Sequence, residues 1–299
     1  MRARRAWNVI NAYDVKADQL LKDAKKTLVA ANQRFGWQGD EADQAWDLLA
    51  HVLGREPKES EEISLSAQRT FERLVKRRTT GEPLAFIVGW VEFLDFKMKV
   101  RPGAFLPRLT SEFLAKQAIR RIRGRRNAVH VDLATGIGPV AIGSARAVPK
   151  ARVFGADISR KAISQARANA AALGVRNASF VRSDLFDSLP KSLRGGIDVV
   201  TIHPPYVPQN EVSDLPVEIK GHEPKHTLTD GSHDGLGLVR RVVADGLEWL
   251  RPGGWLLIET TPTESSMIRG YMREAGYWDV RSTVGELKLT RVYCGRTPD

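Results

Sequence analysis

From residue 128 onward the chain alternates short apolar runs with segments of helical spacing, and this alternation does most to narrow the folds open to it. The runs are Ala128 to Leu133, Ala151 to Ala156, Ala178 to Arg182, Asp198 to Ile202 and Trp255 to Glu259. Strand-length runs separated by helical stretches predict parallel strands joined by crossover helices, a doubly wound α/β sheet. Past a helix predicted over Glu264 to Ala275, Trp278 to Thr283 and Thr290 to Cys294 read as an antiparallel hairpin on the sheet edge.

Upstream the period changes. Leu20, Leu21, Ala24 and Leu28, then Ala45, Trp46, Leu48, Leu49, Val52 and Leu53, then Phe71, Leu74 and Val75 recur at helical spacing. Breaks fall at Glu56-Pro57-Lys58 and at Thr79-Thr80-Gly81-Glu82-Pro83. From Leu84 to Leu106, β-branched and aromatic residues dominate, in Phe86 to Phe93 and Phe96 to Val100, which reads as a hairpin. The expected organisation is a helical domain over 1–83, a β-hairpin linker over 84–106 and an α/β domain over 107–299; a chain of 299 residues can bury two cores.

The net charge of +11 is local. Residues 1 to 80 hold 15 Lys/Arg against 12 Asp/Glu, 81 to 130 hold 10 against 4, and 131 to 299 hold 21 against 19. The excess centres on Lys116, Arg120, Arg121, Arg123, Arg125 and Arg126, a run that suits either a helix C-terminus or a phosphate-facing patch. The start, Met1 to Trp7, is basic with no apolar stretch behind it, and no apolar run reaches the roughly 18 residues of a membrane span, so a soluble cytoplasmic protein with no membrane partner is expected. Cys294 is the single cysteine, which excludes an internal disulfide and any cysteine-based metal site. His222, His226 and His233 share a stretch with Gly221, Pro224 and Gly231 and lack helical spacing; a loop is expected there, and no metal.

Chemistry gathers at the strand ends. Asp132-Leu133-Ala134-Thr135-Gly136-Ile137-Gly138 follows the first strand and opens a helix, where glycines let the backbone approach a ligand or merely serve a tight turn. Asp157, 21 residues beyond Gly136, ends the second strand, where a carboxylate meets ribose hydroxyls in nucleotide-binding βαβ units or caps the next helix. Asp184 ends the third. The fourth runs into His203-Pro204-Pro205-Tyr206, whose prolines cannot continue a ladder, leaving a rigid polar corner at the carboxyl end of the sheet.

In this order the motifs resemble the class I S-adenosylmethionine-dependent methyltransferases, and specifically the release-factor glutamine N5-methyltransferase family. Gly81 to Gly89, Leu106-Pro107-Arg108 with Ser111-Glu112, Asp157-Ile158-Ser159, Ser183 to Phe186, Glu223-Pro224, Asp234-Gly235-Leu236 and Leu250 to Trp255 carry the resemblance over most of the chain. It implies a Rossmann-like, mostly parallel sheet with an antiparallel C-terminal edge, and S-adenosyl-L-methionine as cofactor, leaving as S-adenosyl-L-homocysteine. The implied cofactor-binding residues are Phe105, Pro107, Arg108, Asp132, Ala134, Thr135, Gly136, Gly138, Asp157, Ile158, Asp184, Leu185 and His203. Gly136 and Gly138 would run along the amino-acid portion, Asp157 would take the ribose hydroxyls, and Asp184 with Leu185 would face the adenine. The catalytic corner would be His203, Pro204, Pro205 and Tyr206, and the implied partner is a translation release factor.

The family corner reads Asn-Pro-Pro-Tyr, so His203 is a departure. Neutral imidazole offers one donor and one acceptor, as the Asn amide does, but at other angles, and it loses the acceptor on protonation. Three acceptors therefore fit the sequence: a glutamine amide held by His203 and Tyr206, a small-molecule amine or hydroxyl with His203 as base, and a nucleic-acid base. The loop also has Ala134 where a glycine is usual, and Pro107-Arg108-Leu109-Thr110 lacks a common proline and acid after the arginine.

Overall fold

The computed structural model describes residues 15–35, 39–263 and 265–299. The basic start over residues 1 to 7 lies outside them. In chain order the elements are β1 (Val15–Lys16), α1 (Ala17–Phe35), α2 (Glu41–Leu53), β2 (Glu62–Ile63), α3 (Leu65–Arg78), α4 (Leu84–Val88), β3 (Trp90–Phe93), β4 (Phe96–Lys99), α5 (Ser111–Ile122), β5 (Val129–Leu133), α6 (Pro139–Ala147), β6 (Arg152–Asp157), α7 (Arg160–Ala172), β7 (Ala178–Arg182), β8 (Ile197–Ile202), α8 (Val217–Lys220), α9 (Gly237–Trp249), β9 (Leu250–Thr260), α10 (Ser265–Glu274), β10 (Trp278–Val284) and β11 (Arg291–Arg296). The described residues form two compact units: those up to Val88 with Pro216–Gly221, and those of Gly89–Leu215 with His222–Asp299.

In the first unit α1, α2 and α3 bury the residues their spacing predicts, among them Leu28, Leu48, Leu49, Phe71 and Leu74. Asp40 caps α2 by accepting from the backbone N–H of Ala42 at 2.7 Å, and Gly54 ends the helix in the left-handed region at φ 67°. Arg78, 1 % exposed, donates to Gln44 Oε1 at 2.6 Å and to the Glu82 carbonyl at 2.9 Å, and pairs with Glu218 at 3.2 Å. Glu218 comes from the short segment after the proline corner, so the buried guanidinium fastens that segment into the helical unit. Phe86, Ile87 and Val88, read as strand from their composition, instead lie in the helical turn α4, where Phe86 and Ile87 donate to the Pro83 carbonyl. All three are buried; their apolar character reported burial, and five residues are too few for a period to decide between strand and helix.

The second unit carries the seven-stranded sheet in the order β10-β11-β9-β8-β5-β6-β7. β9, β8, β5, β6 and β7 run parallel, and β10 and β11 pair antiparallel at one edge, as the alternation predicted. β5 and β8 are adjacent and lead outward in opposite directions of strand order, which makes their carboxyl ends the switch point where ligands settle in such sheets. The hairpin β3–β4 belongs to this unit, and two side chains hold it there: Asn169 on α7 bonds both the N–H and the carbonyl of Lys99, and Glu112 on α5 accepts from the Leu94 N–H at 2.7 Å. No described helix is long and apolar enough to cross a membrane.

Most of the basic run is engaged within this unit. Lys116 pairs with Glu286, Arg120 and Arg121 donate to Gln117, Arg121 also lies over the Trp255 ring at 4.5 Å, and Arg125 pairs with Asp198.

Candidate functional site

A cleft of about 280 Å³ opens at the switch point. Its walls bring together Ala134, Gly136, Asp157, Ile158, Asp184, Leu185, His203, Pro204 and Pro205, drawn from the ends of β5, β6, β7 and β8, with Phe105 from the segment before α5. A smaller adjoining recess, sharing Phe105, Ala134, Gly136 and His203, adds Pro107, Arg108, Asp132 and Thr135. Two residues singled out in the sequence line neither. Gly138 faces the Phe180 ring, where a Cβ would approach within 3.0 Å, and Tyr206 stacks on His203 with ring centroids 5.7 Å apart.

The glycine loop is shaped by backbone sterics. Gly136 and Gly138 both have positive φ, 57° and 89°. A Cβ on Gly136 would meet nothing within 4 Å, so the bare backbone there borders open cleft. Ala134 also has positive φ, 49°, a conformation costly for a residue with a side chain. The loop is tied to the next strand through Asp157, whose two carboxylate oxygens accept at 2.8 Å from the N–H groups of Gly136 and Ser159. Burial raises the Asp157 pKa, and these two bonds oppose the shift.

Beneath the loop Asp132 accepts from the hydroxyls of Thr135 and Thr201, each at 2.6 Å. Thr201 Oγ1 is also 2.9 Å from His130 Nε2. With Asp132 ionised, the Thr201 proton goes to Asp132 and His130 donates from Nε2. Burial pushes the Asp132 carboxyl up to about 7 and His130 down to about 3.

At the corner, His203 Nδ1 lies 2.9 Å from Ser111 Oγ on α5 and 3.7 Å from Glu259 Oε2 on β9. Phe105 meets the imidazole edge-on at 5.6 Å, and Arg108 lies over Phe105 while pairing with the buried Glu223 at 2.6 Å. Burial lowers the His203 pKa; Glu259 opposes that shift and Arg108 adds to it. Tyr206 bridges backbone to Thr229, and a Cβ on Gly235 would fall 2.0 Å from the Tyr206 carbonyl, so the following loop closes directly on the corner. At the opposite end of the cleft Asp184 pairs with Arg241 on α9 at 3.1 Å.

Sequence reasoning gave no role to Ser111, Thr201, Arg241 or Glu259. For Glu259 a signal was present: an acid closing an apolar run at a strand end, the signal that singled out Asp157 and Asp184. Ser111 appears only within a motif of the resemblance, and for Thr201 and Arg241 there was no signal, because only the fold brings Ser111 and Arg241 to the cleft walls and Thr201 beneath them.

The donors present fit S-adenosylmethionine: a carboxylate at a strand end for hydroxyls, apolar walls from Phe105, Ile158 and Leu185 for a flat base, and an unobstructed backbone at Gly136. Comparison with known proteins agrees. Residues 125–278 match the family described as methyltransferase domain, and residues 19–89 match the PrmC N-terminal domain. The release factor glutamine methyltransferase of Thermodesulfovibrio yellowstonii is 30% identical over 78% of this chain and 85% of its own. That of Mycolicibacterium smegmatis is 36% identical over 72% and 74%. A 4-amino-L-phenylalanine/4-methylamino-L-phenylalanine methyltransferase of Streptomyces pristinaespiralis is 35% identical over 71% and 73%. Among solved structures, the 16S rRNA N2 G1207 methyltransferase of T. thermophilus shares the fold at a TM-score of 0.51 and 17% identity, covering 70% of this chain and 49% of that one. With both of its units matched in order and relatives spanning most of its length, the chain belongs to the release factor glutamine methyltransferase family, S-adenosylmethionine-dependent enzymes built on the class I methyltransferase fold.

Proposed function

We propose that this protein methylates the side-chain amide nitrogen of a glutamine in a translation release factor. The observation that carries the reading is the His203-Pro204-Pro205 wall of the cleft, set at the switch point beside the glycine loop in a chain of this family. S-adenosylmethionine supplies an electrophilic methyl group on a sulfonium. Asp157 would hold its ribose hydroxyls, Ile158, Leu185 and Phe105 its base, and the loop around Gly136 its amino-acid portion. Pro204 and Pro205 fix the backbone of the corner, so His203 presents a preset edge to the incoming nitrogen. Proximity and alignment of that kind supply much of the rate in such transfers.

A second reading has a specific observation behind it. A relative as close as the glutamine enzymes is named for an amino group on an aromatic ring, and His203 stands where the family motif carries Asn. A free amine is then the competing acceptor. Labelled S-adenosylmethionine incubated separately with a bacterial release factor and with 4-amino-L-phenylalanine decides between them. Label on one glutamine of the release factor, mapped by mass spectrometry, is the expected result; label on the amine alone, with the release factor unmodified, overturns it. Engagement of most of the Lys116 to Arg126 run within the protein gives a nucleic-acid acceptor little support.

A further inference from the structure

Glu259 sits one residue from the end of β9, beside the corner-bearing strand β8, and is fully buried. Neither of its carboxyl oxygens has a hydrogen-bond partner. A buried, unpartnered carboxyl is a costly thing to keep, and one that persists calls for an explanation. The explanation lies 3.7 Å away, at His203 Nδ1. The same nitrogen is 2.9 Å from Ser111 Oγ, so Nδ1 is addressed from α5 and from β9 at once. Nε2, on the opposite edge of the ring, has no hydrogen bond among the described residues, and His203 lines the cleft.

We propose that Glu259 is a positioning residue acting through His203: it holds the Nδ1 edge and leaves Nε2 as the base that takes the proton of the methylated nitrogen. The proposal rests on the methyl-transfer reading but not on which acceptor is used. An amide and an aromatic amine each have to lose one proton on gaining a methyl. As the acceptor nitrogen attacks, its electron pair forms the bond to the methyl carbon, the carbon–sulfur bond breaks with its pair going to sulfur, and one N–H proton passes to Nε2. The imidazolium so formed has its Nδ1–H directed at Ser111 and Glu259, and it then releases the proton to solvent. This is the logic by which a buried carboxylate orients a histidine base and favours its charged form. The family's Asn cannot accept a proton in this way.

The charged groups facing the ring are Glu259 from β9, Arg108 from the segment before α5, itself paired with Glu223, and Asp132 from β5 across the recess; Tyr206 and Phe105 contribute rings. Two measurements on the full-length protein test the proposal. In ¹⁵N-histidine spectra of the cofactor-free protein, neutral His203 is expected to carry its proton on Nδ1 with Nε2 bare; a proton on Nε2, with Nδ1 accepting from Ser111, overturns the proposal. In single-turnover methyl transfer across pH, Glu259→Gln should lower the plateau roughly tenfold or more and move the acid limb to lower pH, because the ring loses the neighbour that favours its charged form. In a His203→Asn background the same change should alter the rate less than about twofold. An equal loss in both backgrounds, or an unmoved limb, overturns the proposal. If Glu259→Gln fails to fold, the spectra decide alone. If the release factor is not methylated while His203 shows the expected tautomer, only the acceptor reading fails.

Discussion

Two histidines stand one strand apart at the centre of the sheet, His130 sealed in the core and His203 partly exposed at the cleft, and among the described residues each has one ring nitrogen without a hydrogen bond. His130 on β5 is fully buried and donates from Nε2 to Thr201, which donates to Asp132, which also receives Thr135, while His130 Nδ1 is enclosed in the core without a partner. His203, just past the end of β8, has Nδ1 2.9 Å from Ser111 Oγ and 3.7 Å from the carboxyl of Glu259, which has no hydrogen bond, and among the described residues its other nitrogen has none either. Burial lowers the pKa of both rings, but a neighbouring acid opposes the shift only at His203. A polar chain sealed in the core has no ligand to exchange a proton with, whereas one open toward a cleft has.

Removing His203 puts the greatest strain on this contrast. His203→Ala should cut methyl transfer by about a hundredfold or more, the scale of a lost acid–base group, while calorimetry finds S-adenosylmethionine affinity within a few-fold of wild type. If both fall together, His203 belongs to the cofactor's binding surface and the contrast between the histidines is one of exposure only.

The core chain should respond in stability and with two opposite signs. Asp132, raised to about 7 from 3.8, favours folding while protonated; its contribution is complete below its unfolded pKa and is lost as pH rises toward 7. His130, lowered to about 3 from 6.5, favours folding while neutral; its contribution is present above 6.5 and is lost as pH falls toward 3. Between those limits the two slopes offset each other. Asp132→Asn should expose the histidine slope, so that stability relative to wild type grows from pH 4 to pH 8, by a few kcal/mol at most on the scale of 1.36 kcal/mol per unit. Urea unfolding midpoints at the two pH values check it. A difference that does not change with pH would mean that Asp132 is ionised in the folded protein.

The same contrast explains what could be read in the sequence. Strand and helix order, and the tips at Asp157, Asp184 and His203, were legible because each rests on a local period or on a residue type at the end of one run. The linker segment was misjudged over Phe86 to Val88, since composition there reported burial and not geometry. The partners of His203 were illegible in a stronger sense. Ser111 and Glu259 lie 92 and 56 positions away in sequence, and only the pairing of β8 with β9 and the packing of α5 bring them to Nδ1. Nor does any local pattern show that most of the Lys116 to Arg126 run is spent on Glu286, Gln117, Trp255 and Asp198.

The smallest effect is expected two residues beyond Asp132. Ala134 borders both the cleft and the recess and holds φ at 49°, where a Cβ crowds its own backbone. Gly136 and Gly138 pass through the same region without that cost. Ala134→Gly removes the crowding and, in the opposite direction, frees the unfolded chain, so the net gain should be below about 1 kcal/mol and the rise in melting temperature no more than a few degrees. Methyl transfer and the pH profile of His203 should stay as they are, since the backbone already follows a path that glycine prefers. A loss of cofactor affinity without a change in melting temperature would instead show that the methyl group of Ala134 is itself a contact surface. In that case the strain at the mouth of the cleft would be retained for binding, as the unpartnered Glu259 is retained for His203.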